Sequence, residues 1–178
     1  MSKKSKILIV ILLLITAAAV GVTIWTLFFR DTAPELAPDY APQEAEEYAE
    51  AVSEGASEEK MEAAEGGGAV SMIYQKNVQI SLSENLASLL FQNPSKSVND
   101  IVLQIVIVDA EGEETVIAQS GTLHPGYKVE QLALIEGAAK LSEGTYTGKY
   151  IVLYYDPDTA EKAVLNGSIE GIEITVTE

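Results

Sequence analysis

Apolar positions along this chain fall into three regimes. From Ile7 to Phe29 they form a run of 23 residues without a charge, long enough at about 1.5 Å per helical residue to cross a hydrocarbon layer of roughly 30 Å. Between residues 31 and 68 large apolar residues become sparse: Leu36, Tyr40, Tyr48, Val52 and Met61 are too few to assemble a core. From Ala69 onward, short apolar runs alternate with polar residues and are separated by turn residues, as in a sandwich or barrel. These regimes predict three segments: a cytoplasmic tip and transmembrane helix over 1–30, an acidic flexible linker over 31–68, and an extracytoplasmic β-sandwich domain over 69–178.

Within the third segment Val70, Met72 and Tyr74 alternate with polar neighbours, as do Val78, Ile80 and Leu82, giving an edge region of one bent strand or two. Further strands are predicted over 87–92, 100–109, 115–119, 129–135 and 145–155. The turns between them are marked by Asn93-Pro94-Ser95, Ala110-Glu111-Gly112-Glu113, His124-Pro125-Gly126 and Gly144. Ile172, Ile174 and Val176 alternate with Glu173, Thr175 and Thr177 in a half-buried closing strand. No helix is needed. About seven antiparallel strands in a segment of this size match an immunoglobulin-like sandwich, so the predicted fold class is all-β, preceded by one transmembrane helix and a disordered acidic linker.

Charge orients the anchor. Lys3, Lys4 and Lys6 precede the apolar run, whereas Arg30 is at once outweighed by Asp31 and Glu35. The positive-inside rule then places the amino terminus in the cytoplasm and the carboxyl-terminal domain outside, in a single-pass cell-membrane protein. A cleaved signal peptide is the competing reading, because Ala17-Ala18-Ala19 offers a cleavage site. Against it, residues 20–29 stay apolar, and Trp25, Phe28 and Phe29 suit an interface. The Glu expected near the start of a type IV pilin helix is missing, as is a wall-sorting Leu-Pro-x-Thr-Gly motif.

The formal charge of −16 excludes one class of partner. Residues 31–68 carry 12 acids against Lys60, and residues 69–178 carry 15 acids against 6 lysines. Such an exterior repels phosphate backbones, and with no cluster of basic and aromatic residues nucleic-acid binding is not expected. High charge with little to bury reads as disorder in the linker, although residues 43–64 are rich in helix formers. Cysteine is absent, which removes disulfides and thiolate sites.

A family resemblance rests on two stretches. Thr122-Leu-His-Pro-Gly-Tyr127, followed by an apolar strand, and Leu141-Ser-Glu-Gly-Thr-Tyr146, opening a long one, resemble the pattern of Ig-like or fibronectin-III-like modules in membrane-anchored surface proteins of Gram-positive bacteria. The resemblance covers about residues 70–178. It implies a Pro-Gly turn before one strand, and at Tyr146 a tyrosine corner.

Candidate chemistry is thin. His124 is the single histidine and precedes Pro125 in a turn, as an ordinary loop residue would. Asp156 and Asp158 share one turn, and Asp109, Glu111, Glu113 and Glu114 another, so hard oxygen ligands for Ca²⁺ are present. Neither turn has EF-hand spacing, and solvated acids explain both better. No catalytic residue, cofactor or metal is expected.

The informative feature is apolar residues on both faces of two strands. If Tyr146, Tyr150, Val152 and Tyr154 point inward, Ile151, Leu153 and Tyr155 point outward; Val102, Val106 and Val108 likewise oppose Ile101, Leu103, Ile105 and Ile107. Val102, Val106, Val108, Ile151, Leu153 and Tyr155 are therefore the candidate protein interface. Strand preference alone, or a covering loop, is the more ordinary explanation. The expected function is non-enzymatic: a surface module that binds or spaces another surface or membrane protein. The alternative is an accessory subunit of a membrane-embedded secretion, conjugation or pilus assembly complex.

Overall fold

The computed structural model describes Ser5, residues 12–16, Ala18, Val20, and residues 35–52, 71–164 and 166–178. Two units are distinguished, Met1–Ala33 and Pro34–Glu178. In the first, residues 12–16, Ala18 and Val20 are helical, with the side chains of Leu12, Leu13, Leu14, Ile15 and Val20 exposed. Among the described residues no helix is long and apolar enough to cross a membrane. Most of the expected span over 7–29 lies outside the described residues.

The second unit is all-β. Its strands are β1 (Ala49–Ala51), β2 (Ile73–Tyr74), β3 (Asn77–Ser81), β4 (Leu86–Asn93), β5 (Asp100–Val108), β6 (Glu114–Gln119), β7 (Tyr127–Ala133), β8 (Gly144–Tyr155) and β9 (Gly167–Thr177). They form one curled sheet in the order β1-β7-β4-β3-β9-β8-β5-β6, with β2 also on β4. The curl brings its ends together: Ala118 of β6 bridges Leu134, and the Ile135 amide donates to the Ile117 carbonyl at 2.9 Å. The arrangement is compatible with a β-sandwich.

The expected strands are present, and two features differ from the expectation. Among the described residues nine strands replace about seven, because β1 falls in the stretch read as linker and the edge region divides into β2 and β3. The sheet is mixed, because β3 runs parallel to β9, pairing Val78 with Ile174 and Ile80 with Val176. Alternation tells which side of a strand is buried, not which strand lies beside it or in which direction.

The inward face carries the core. Ile101, Leu103, Ile105, Tyr150, Val152, Ile172 and Ile174 are buried with Phe91 and Val129 from the opposite side. The Phe91 and Tyr150 rings meet edge-on with centroids 5.6 Å apart, a favoured aromatic geometry, and the Tyr150 hydroxyl donates to the Gln75 carbonyl. Between β8 and β9 the register slips at Gly148/Lys149, which leaves Gly171, at φ +73°, as the extra residue of a bulge. At Gly148 β8 lies tight against β5: a Cβ there would lie 2.4 Å from the Val106 carbonyl oxygen.

Two local devices close the unit. A short 3₁₀ turn, Glu136–Lys140, lies against β6, with Gly137 packed directly on the Val116 carbonyl, so this edge is covered rather than left open to pairing. At the start of β8 the Tyr146 hydroxyl donates to the Ser142 carbonyl at 2.9 Å and accepts from the Ser142 amide at 3.2 Å.

Residues 35–52 depart most from the expectation. Read as part of a flexible linker, they instead lie along the sheet as a strap that ends in β1, paired antiparallel with β7. Composition hides this, because main-chain atoms rather than large apolar side chains make most of the attachments. The rest of the expected linker, 53–68 included, lies outside the described residues.

Candidate functional site

The outward face of β5 and β8 is built by their antiparallel register, which pairs Asp100 with Tyr155, Val102 with Leu153, Gln104 with Ile151 and Val106 with Lys149. Residues paired in this way share a face. The assignment of Val102, Val106, Ile151, Leu153 and Tyr155 to the side opposite the core therefore holds. Their exposure does not: Val102, Val106 and Tyr155 are fully buried and Leu153 nearly so, while Ile151 and Val108 are half-buried.

The strap is what covers Val102, Leu153 and Tyr155. Val102, Leu153 and Tyr155 form a second apolar cluster, separate from the core, against which Ala37, Ala41 and Ile151 pack. Val106 and Val108 stand outside this cluster. Next to Val106, Lys149 is itself mostly buried and holds Glu114 at 2.6 Å.

Polar bonds fix the strap at intervals. The Tyr155 hydroxyl donates to the Pro38 carbonyl at 2.8 Å, and the Thr122 hydroxyl to the Pro42 carbonyl at 2.9 Å. Lys162 gives its amide to the Asp39 carbonyl and its ammonium to the Ala37 carbonyl, while the Ala41 amide donates to the Ala160 carbonyl at 2.7 Å. Gln104 donates to the Gln119 side-chain carbonyl at 2.7 Å, and the Gln119 amide group donates in turn to the Glu35 carbonyl. In each bond from Glu35 to Pro42 the strap contributes a main-chain atom. Farther along, the Glu46 carboxylate accepts from the Gly121 amide.

Two alanines at this contact are strained. Ala37 and Ala160 have φ of +52° and +60°, in the left-handed region that costs a residue with a Cβ about 1–2 kcal/mol. Ala37 also precedes a proline, which disfavours helical backbone further.

Sequence reasoning named the apolar members on the sheet and missed the polar ones and the two alanines of the strap. Gln104 was the available signal, a lone polar residue inside the apolar stretch 101–108. The strap had a signal too: Ala-Pro recurs every four residues at 33–34, 37–38 and 41–42.

Burial shifts the tyrosines. The Tyr155 phenol is pushed up to about 12 by burial, with the Asp39 carboxylate adding to the effect, and burial also raises Tyr154 and Tyr150. Each shift keeps the phenol neutral, the form able to donate.

The other candidates resolve into structure. The Asp156 carboxylate accepts amides of Asp158 and Thr159, which hold it below the usual carboxylate range. The Asp109 carboxylate accepts the amides of Glu111 and Glu113. These are turn-closing contacts. Among the described residues no three acidic or imidazole side chains converge as a metal site. His124 sits half-exposed with Nδ1 2.8 Å from the Asp100 carboxylate. Beside it the Asn93 side-chain amide is buried, donating to the Asn99 and Leu123 carbonyls.

The chain matches no protein-family model and no curated protein. The reading of its function rests on the residues themselves.

Proposed function

We propose that this protein is a membrane-anchored, extracytoplasmic, non-catalytic module that binds or spaces another protein. The observation that carries this is the uncharged stretch Ile7 to Phe29 behind three lysines, joined to one acidic all-β unit. The finer fold reading is an Ig-like module of the kind found in Gram-positive surface proteins. Its support is the curled sheet, in the order β1-β7-β4-β3-β9-β8-β5-β6, whose last strand β6 bridges Leu134 just after β7. The Tyr146–Ser142 bond at the start of β8 is the contact a tyrosine corner makes.

Topology is the test. The chain has no cysteine, so single cysteines at Ser2 and at the exposed Glu111 report their sides cleanly. A membrane-impermeant maleimide applied to intact cells should label E111C and spare S2C, with both variants in the membrane fraction. Labelling of E111C only after permeabilisation, or release of the chain into the medium, overturns the proposal.

A further inference from the structure

We propose that the outer surface of β7, β4, β3, β9 and β8 carries a binding track for a linear, uncharged polysaccharide. This adds a ligand to the module proposed above and takes from that reading only its extracytoplasmic placement, where such chains are met.

The strand register builds the track. Gln131 of β7 pairs with Ser88 of β4, Ser88 with Gln79 of β3, Gln79 with Thr175 of β9, and Thr175 with Thr145 of β8. Cross-strand partners share a face, and all five side chains are exposed. With neighbouring strands about 4.8 Å apart, the row runs roughly 19 Å around the sheet. On the last three strands Asn77, Glu173 and Thr147 form a second exposed row beside it.

Charge and pairing single the first row out. In a chain with 27 acids it carries none, and none of its five side chains is hydrogen-bonded to another described residue. Each ends in a hydroxyl or a carboxamide, which both donates and accepts. Sugar hydroxyls do the same, and one pyranose ring of a linear glycan advances about as far as one strand spacing. The track thus offers one hydrogen-bonding side chain per ring.

The β7 end of the row says which glycans are admitted. Ser88 and Gln131 line an open groove of about 640 Å³ together with Tyr48 and the acids Glu47, Glu50 and Glu130, of which Glu50 and Glu130 share Lys128. Carboxylates accept bonds from sugar hydroxyls but repel sulfate, phosphate and uronate groups. An uncharged chain satisfies both conditions. A second copy of this protein fits worse, because two chains of charge −16 repel and the row follows the curl of the sheet. A thin chain can track that curl, whereas a rigid face cannot.

The test is binding of the purified full-length chain, held in a detergent without a sugar head group, to an array of cellohexaose, mannohexaose, maltohexaose and chitohexaose. Saturable binding to at least one is expected. Gln79→Ala combined with Thr175→Val removes two contacts from the middle of the row at solvent-facing positions, so circular dichroism should show the parent fold. Dissociation constants should rise about fivefold for each lost bond, about twentyfold in all. Glu111→Gln, in a turn outside the track, should bind as the parent does.

Should the double variant not fold, Gln79→Ala alone carries the test at about fivefold. Binding to none of the four sugars, or binding that the folded variant keeps, overturns the proposal. So does sedimentation showing the parent as a dimer and the double variant as a monomer, which assigns the face to a second copy. The array does not read membrane topology, so its failure leaves that reading intact, and unlabelled E111C overturns the placement without changing what the array measures.

Discussion

Tyr155 offers the sharpest check on the covered face. Its side chain lies on the side of β8 away from the core, where alternation alone puts a solvent-exposed ring, yet it is fully buried beneath the strap. Truncating an exposed strand residue changes stability by roughly 0.5 kcal/mol or less. Removing a buried aromatic ring costs about 3–5 kcal/mol, because burial and packing are both lost. Tyr155→Ala should therefore cost about 3–5 kcal/mol in urea unfolding of the whole chain followed by circular dichroism.

Tyr155→Phe separates ring from hydroxyl. It keeps the burial and removes the 2.8 Å bond to the Pro38 carbonyl, worth about 1 kcal/mol. As about 1.4 kcal/mol is tenfold in an equilibrium constant, strap opening should become about fivefold more frequent. Hydrogen exchange at the Ala41 amide, which donates to Ala160, should rise by that factor. The Glu113 amide, bonded to Asp109 in a turn the strap does not touch, should not change. A cost below about 1 kcal/mol for Tyr155→Ala would refute the covered-face argument.

Three further outcomes are expected. Tyr146→Phe removes both contacts with Ser142 and should cost about 1–2 kcal/mol, measured as a lower urea midpoint with unchanged slope. Gly148→Ala places a methyl group 2.4 Å from the Val106 carbonyl and 2.5 Å from Ile174 Cδ1, so β5, β8 and β9 must shift; a loss of about 1–3 kcal/mol is expected in the same assay. Alkaline pH should destabilise the fold in a defined window. A phenol whose folded pKa lies above its unfolded value near 10 stabilises fully below pH about 10, and that contribution is lost as pH rises through the folded value. Tyr155 at about 12, with Tyr150 and Tyr154 also raised, predicts thermal midpoints flat to pH about 10 and falling toward 12, less steeply in Tyr155→Phe.

By itself the sequence determined what local periodicity and composition can carry. The alternation of Ile172, Ile174 and Val176 with Glu173, Thr175 and Thr177 placed the closing strand and its buried side. Double-sided apolar character marked β5 and β8 as central, and Gly112 and Gly126, both at positive φ, marked turns. These are properties of neighbouring residues, so they survive without knowledge of the fold.

Only the tertiary structure decided what depends on residues far apart in the chain. The parallel pairing of β3 with β9 joins positions 77 and 173, and nothing in either strand states its direction. Whether Val102, Leu153 and Tyr155 meet water or protein was decided by Ala37 and Ala41. The strap that carries those alanines looks like linker because composition measures what a segment can bury on its own. It cannot register main-chain carbonyls that satisfy Tyr155, Thr122 and Lys162 from more than 75 residues away.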